Sequence, residues 1–468
     1  MKYLEKYRPQ YHFTPEKNWI NDPNGLVYYA GEYHLFYQYN PYGDKWGHMS
    51  WGHAVSKDLL HWEHLPIALT EYLDPQTIDS TMVFSGTAIV DKNNSSGLCE
   101  GKDCLIAIYT SNVHKNNQGL KQHQSLAYSN DKGRTWKRYD KNPILDIQRK
   151  DFRDPKVFWY EPQQKWVMTL VIPDLHKVQL YQSKNLLQWD LMSEFGKAGD
   201  TTRIWECPDL YQLPIENETG QSKWVLSLSG GHPAGPTFVG MQYFVGDFDG
   251  TTFTSSQSEA KYIDHGKDFY AGIVYNNVPD RTIMMGWINN WTYGNQVPTS
   301  PWRGAFSLPR QLSLNKKNDQ YYLLQKAIEE TKSLRGAEIK DREKYNGGSL
   351  EIELEWNGAD GTILELFSNG EEKTIIGKRG DFVFVNRVKS GLVDFQADFA
   401  SLDQVKVNGN EKILLHIFVD QSIVEVFVND GEASITSQVF PTSENTMRIP
   451  MKENVINLKG WEMKSIWK

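Results

Sequence analysis

Five times along the chain, a polar residue opens a short apolar run rich in β-formers. The openings are Asp22-Pro23-Asn24 before LVYY, Ser85-Gly86 before TAIV, and Asp154-Pro155-Lys156 before VFWY. Glu206-Cys207-Pro208-Asp209 before LYQL and Asp268-Phe269-Tyr270 before AGIVY complete the set. They lie 52 to 69 residues apart. Each is followed by a second aromatic and β-branched run, at residues 31–38, 102–109, 164–171, 222–229 and 281–288, which reads as the return strand of a hairpin. Four copies then carry a tight polar turn ending on an aromatic: SKDLLHW, SNDKGRTW, SKNLLQW and GDFDGTTF. No long amphipathic helix separates the copies. A repeated multi-strand unit buries its faces against its neighbours, and five such units predict a five-bladed β-propeller.

That geometry sets the functional expectation. The innermost strands of a propeller run beside its channel, so the residues opening them meet at one mouth. Asp22, Asp154, Glu206 and Asp268 are expected there as one acidic cluster, with Ser85 beside them. Crowded carboxyl groups drive their pKa values apart, as acid–base chemistry requires.

Beyond residue 320 the pattern changes. Residues 321–336 read as a charged, briefly helical connector, and short alternating strands then recur every dozen or so residues. IFVDQSIVEVFVNDGE, residues 417–432, is the strongest hairpin signal among them. The expected fold is all-β: a five-bladed propeller over 1–330, a linker over 331–340 and a C-terminal β-sandwich over 341–468. The sandwich carries no catalytic constellation and reads as structural, with a sugar-binding or homodimer surface as further roles. Residues 71–84 read as an insertion, and residues 112–124, NVHKNNQGLKQHQ, as a polar loop at the pocket rim.

A length of 468 residues accommodates two domains. The net charge of −8 argues against a nucleic-acid or membrane-surface partner, which needs a basic footprint. No run of about 18 apolar residues predicts a membrane helix. The N-terminus MKYLEKYRPQYHF lacks the apolar core of a secretory signal, so the chain as written is expected in the cytoplasm, and a chain trimmed of its signal would be secreted. The 16 Trp and 24 Tyr suit an aromatic β-core and a carbohydrate site, where flat rings stack on sugar C–H faces. Three cysteines form no disulfide framework. Cys99 and Cys104 are close enough to pair, with two free thiols an equal alternative, and Cys207 reads as a small buried neighbour of Glu206. The histidines between His48 and His64 lack thiolate or carboxylate partners at ligand spacing, so neither metal nor cofactor is expected. Trp46 and Trp291 are placed in the sugar pocket, and Arg153 faces the substrate beside Asp154.

Glycosidic hydrolysis needs one carboxyl group to protonate the leaving oxygen and another to act as nucleophile or base. Glu206, between Trp205 and Cys207-Pro208 and facing other carboxylates, suits the acid. Asp22 suits the nucleophile, since flanking amides and Asn21 favour its ionised form. Asp154 beside Arg153 is expected to stay charged and grip hydroxyl groups. Strand spacing alone does not choose among these roles.

The motifs WINDPNG, FYQYNP, FSG, FRDP, WECPD and DFY, in this order, closely resemble glycoside hydrolase family 32, the family of invertases, levanases and exo-inulinases. FVDQSIVEVFVNDG resembles that family's C-terminal sandwich, so the likeness spans almost the whole chain. It implies metal-free retaining hydrolysis of β-fructofuranosides, releasing terminal fructose from levan, inulin or sucrose-type substrates. It further implies Asp22 as nucleophile, Glu206 as acid/base and Asp154 as transition-state stabiliser. Asn21, Gln38, Trp46, Phe84, Ser85, Arg153 and Trp291 would hold the terminal fructose. A fructosyltransferase, or an invertase acting mainly on sucrose, would share these motifs; a non-catalytic sugar-binding propeller would not need Asp22 or Glu206. An inverting propeller hydrolase would set its carboxyl groups about 6.5–9.5 Å apart, against about 5–5.5 Å for a retaining one.

Overall fold

A computed structural model describes residues 3–73, 79–115, 118–235, 238–340, 344–407, 411–444 and 446–467. Five mainly antiparallel sheets succeed one another along the chain, and the first long strand of each lies innermost. These inner strands are Asn18–Tyr29, Ser80–Val90, Arg153–Tyr160, Glu206–Pro214 and Tyr270–Val274. Each touches the next, and the fifth touches the first, closing the ring of a five-bladed propeller. Return strands follow at Glu32–Tyr39, Leu105–Lys115, Lys165–Ile172, Ser222–Ser229 and Thr282–Ile288. All are aromatic- or β-branched-rich segments buried on both faces between blades.

Three of the polar turns are held by an Asx side chain that accepts two amides. Asp58 Oδ1 accepts from the amides of Leu60 and His61, Asn185 Oδ1 from Leu187 and Gln188, and Asp249 Oδ1 from Thr251 and Thr252. These Asx turns are why Ser-Asx spacings recur at the outer hairpins. Closure of the ring is backbone-made: Trp302–Arg303 pairs in parallel with Asn18–Trp19, and Val27 bridges Asn276.

Asn276 also donates to Ala88 O at 2.9 Å and Val157 O at 3.2 Å, and so ties several blades together. Buried Lys156 pairs with Asp209 at 3.0 Å on the same axis. A void of about 10 Å³, scarcely one water's worth, lies against Lys156 here.

Two six-stranded sheets follow and enclose a second apolar core, including Ile352, Trp356, Leu366 and Ile417. The expected connector contains a strand: Gln320–Ala327 is the outer strand of blade five, burying Leu323 and Leu324, and only Glu329–Leu334 turns as a 3-10 helix. Its charged neighbours conceal the alternation. Arg335–Glu338 already pairs with Val455–Met463 in the sandwich. The expected rim loop falls largely on strands, since Leu105–Lys115 pairs with Gln118–Ser129, with one register shift between Val113 and His114. Part of the expected insertion, residues 74–78, lies outside the described residues, whereas residues 80–84 belong to the inner strand of blade two. Cys99 and Cys104 are joined by a disulfide. Among the described residues no helix is long and apolar enough to cross a membrane.

Candidate active site

Every inner strand slips register where it opens. The slips fall between Asn24 and Val27, Val83 and Gly86, Arg153 and Lys156, Glu206 and Asp209, and Tyr270 and Ile273. Blade one slips once more, between Ile20 and Pro23. Such bulges re-aim side chains that regular pleating would send to alternate faces. Asp154, Cys207 and Ala271 take left-handed φ values of 61°, 49° and 52° to make them. Each costs roughly 1–3 kcal/mol for a non-glycine residue. In blade two the slip ends at Gly86 without a left-handed residue, and a Cβ there would sit 2.2 Å from Ile108 O.

The bulges gather three carboxyl groups. Asp22 is buried, and its Oδ1 accepts from Asn21 Nδ2 at 3.0 Å. Its Oδ2 accepts from Ser85 Oγ at 2.7 Å and from the Cys207 thiol at 3.5 Å. Trp19 Nε1 holds Asn21 Oδ1 at 2.8 Å, fixing which way that amide points. Asp154 Oδ2 accepts the Cys207 amide at 2.9 Å, so one residue touches both aspartates. Glu206 Oε1 accepts from Arg153 Nη2 at 3.0 Å, and its Oε2 from the Tyr270 hydroxyl. Its side chain keeps 21% of its surface exposed.

Burial first, then the charge of Glu206, raises Asp22 above its ordinary pKa despite its three donors. Burial likewise raises Asp154 to about 7; Arg153 opposes this, while Glu206 and Asp22 add to it. Asp154 was expected to be held charged by Arg153. The guanidinium instead directs its hydrogen bonds to Glu206, Asp151 and Gln122, and its Nε stays 3.8 Å from Asp154. Burial pushes the Cys207 thiol well up, so it stays a neutral donor to Asp22.

Around this group, Gln38 is buried and donates to Val83 O at 3.1 Å. Phe84 is half-buried, and the exposed Trp46 ring lies 6.2 Å from it. Trp291 packs on Trp287 at 4.9 Å, and its indole nitrogen is buried with no acceptor among the described residues.

Family models for the glycosyl hydrolases family 32 N-terminal domain and the family's C-terminal domain match residues 12–327 and 313–462. The chain belongs to glycosyl hydrolase family 32. It is 47% identical to a levanase of Bacillus subtilis over 94% of this chain and 67% of that protein. It is 40% identical to an extracellular exo-inulinase of Aspergillus niger over 94% of this chain and 91% of that one. The crystal structure of exo-inulinase from Aspergillus awamori superposes with a TM-score of 0.91 at 36% identity, covering both chains fully.

Within this family-32 site, the fourth expected carboxylate is missing. Asp268 is fully buried and faces the sandwich, where Tyr293 donates to its Oδ1 at 2.6 Å, the Gln438 amide to its Oδ2 at 2.8 Å, and Arg387 to the same oxygen. The bulge of blade five begins at Tyr270, two residues later, so Tyr270 occupies the position that Glu206 holds in blade four. Sequence reasoning also passed over Gln122, which accepts from the Phe152 amide at 2.8 Å and from Arg153 at 3.4 Å. Thr110, which accepts from the Asp154 amide at 3.0 Å, was missed as well. The available signal was polar residues at alternate positions of the blade-two hairpin, which resemble a loop when hydropathy alone is read.

Proposed function

We propose that the chain is an exo-acting, retaining β-fructosidase that removes terminal β-D-fructofuranosyl units from levan, inulin and sucrose-type oligosaccharides. The observation that carries this reading is the convergence of Asp22, Asp154 and Glu206 from three blades, with Cys207 in hydrogen-bond contact with both aspartates. Asp22 attacks the anomeric carbon as the bond to the leaving oxygen breaks, and Glu206 transfers its proton to that oxygen. Water then attacks the same carbon, gives its proton to Glu206 and releases the Asp22 carboxylate. Ser85, Asn21 and the Cys207 thiol hold Asp22 in line by donating to it. Asp154 faces the sugar hydroxyls and stabilises the positive charge that develops on the ring. The Cys99–Cys104 bond favours an oxidising compartment for this activity.

Glu206→Gln tests the reading. Turnover of sucrose and levan should fall by at least about 100-fold, as for loss of a general acid, while binding of fructan survives. In Asp22→Asn no covalent fructosyl adduct should appear by intact mass. Undiminished hydrolysis by Glu206→Gln removes Glu206 from the acid role.

A further inference from the structure

A cleft of about 630 Å³ lies between the 40–48 loop of blade one and the hairpin of blade two, and the Trp46 ring on its wall stands 6.2 Å from that of Phe84, which precedes the Asp22 donor Ser85. Tyr42, Trp46 and His48 line one wall, and Asn112, His114 and Gly119 the other. Its size is that of a site for a multi-ring ligand. Tyr42 leaves 77% of its surface in water, more than any other large hydrophobic residue described.

This exposed ring is nevertheless braced. The Tyr42 amide donates to Asn40 Oδ1 at 2.9 Å, and Asn40 Nδ2 closes the loop on Lys45 O at 2.7 Å. Tyr42 meets the His48 ring edge-on at 5.2 Å. His48 Nδ1 bonds Glu71 Oε2 at 2.7 Å, and Glu71 is held by Ser80 Oγ at 2.5 Å and by Ser50 Oγ on its amide at 2.9 Å. On the other flank, the Trp46 amide donates to Asn295 Oδ1 at 3.1 Å, and Arg303 binds Asp44 O at 3.1 Å. A flat ring fixed in water at the edge of a polar cleft offers a stacking face with little ordering entropy left to lose.

We propose that this cleft binds the sugar units beyond the scissile bond, with Tyr42 as the stacking platform for a fructo-oligosaccharide chain and the His48–Glu71 pair as its brace. The inference rests on the β-fructosidase reading and adds chain-length preference to it. A disaccharide reaches only the near end of the cleft, whereas a pentasaccharide runs its length.

The test measures kcat/KM for a fructosyl pentasaccharide and for sucrose in Tyr42→Ala, Tyr42→Phe and Glu71→Ala. In Tyr42→Ala the pentasaccharide-to-sucrose ratio should fall about tenfold, the loss of one stacking ring. The change should appear in KM and not in kcat. Tyr42→Phe should restore the ratio, and Glu71→Ala should lower it in the same direction by less. A ratio unchanged in Tyr42→Ala overturns the proposal, whatever the absolute activities. Wild-type protein that releases no fructose from either sugar would instead overturn the β-fructosidase reading.

Discussion

Arg387 reaches from the sandwich into the base of blade five. Its guanidinium is fully buried and binds the Asp268 carboxylate, the Tyr293 hydroxyl at 2.8 Å, Gln438 O at 3.0 Å and Phe399 O at 2.8 Å. Arg387→Met preserves most of the volume and removes the charge. Asp268 then keeps only Tyr293 and the Gln438 amide as donors, in a place that water does not reach. Removing one partner of a buried pair typically costs about 3–5 kcal/mol, because the other charge is stranded. Asp268→Asn strands the guanidinium instead, but leaves it two carbonyls and the hydroxyls of Tyr293 and Ser401, so its cost should be the smaller. The double variant removes both charges, and its loss should fall short of the sum of the singles by about 2 kcal/mol or more. Urea titration followed by tryptophan fluorescence and by residual activity measures all three. Both probes should move together, since the pair joins the two parts of the chain and Tyr293 belongs to the turn that carries Trp291. A loss below about 1 kcal/mol for Arg387→Met, or strict additivity, would refute the reasoning.

Two further outcomes follow from the carboxylate cluster. Asp154 has a folded pKa of about 7 against an ordinary 3.8, so the native state binds its proton more tightly than the unfolded chain. Stability from this group is therefore lost as pH rises from about 4 to about 7, up to roughly 4 kcal/mol at 1.4 kcal/mol per unit. Asp154→Asn should gain stability over wild type at pH 8 and lose that advantage at pH 4; thermal unfolding at the two pH values checks it. Ser85→Ala removes a donor to the Asp22 carboxylate. Such bonds contribute about 1.5–3 kcal/mol, so kcat/KM should fall roughly 10- to 150-fold in steady-state assays.

The fold was legible because its signal is local and repeated. Each inner strand pairs a polar opening with an apolar run, and the return strands at 164–171 and 222–229 sit within a residue of the observed Lys165–Ile172 and Ser222–Ser229. The catalytic candidates were legible for the same reason: Asp22, Asp154 and Glu206 stand where strands begin. What escaped depends on register. Asp268 and Tyr270 are two residues apart in one motif, and the position of a bulge decides which of them reaches the mouth. Hydropathy carries no trace of that choice. One partner of Arg153 was hidden similarly, because Gln122 approaches it only after the hairpin of blade two folds against blade three.

The strain at the mouth has a geometrical cause. A regular strand sends neighbouring side chains to opposite faces, so no pleated inner strand can present two consecutive residues to one site. The site needs such pairs: Asn21 with Asp22, Arg153 with Asp154, and Glu206 with Cys207 all engage the same cluster. Left-handed φ at Asp154 and Cys207 rotates the second member of two of these pairs toward the first. The cost is borne by the body of the propeller, where Asn276 ties blades together and Lys156–Asp209 anchors the axis. An inner strand restored to regular pleating would be more comfortable on its own, and would turn one residue of each pair away from the carboxylate cluster.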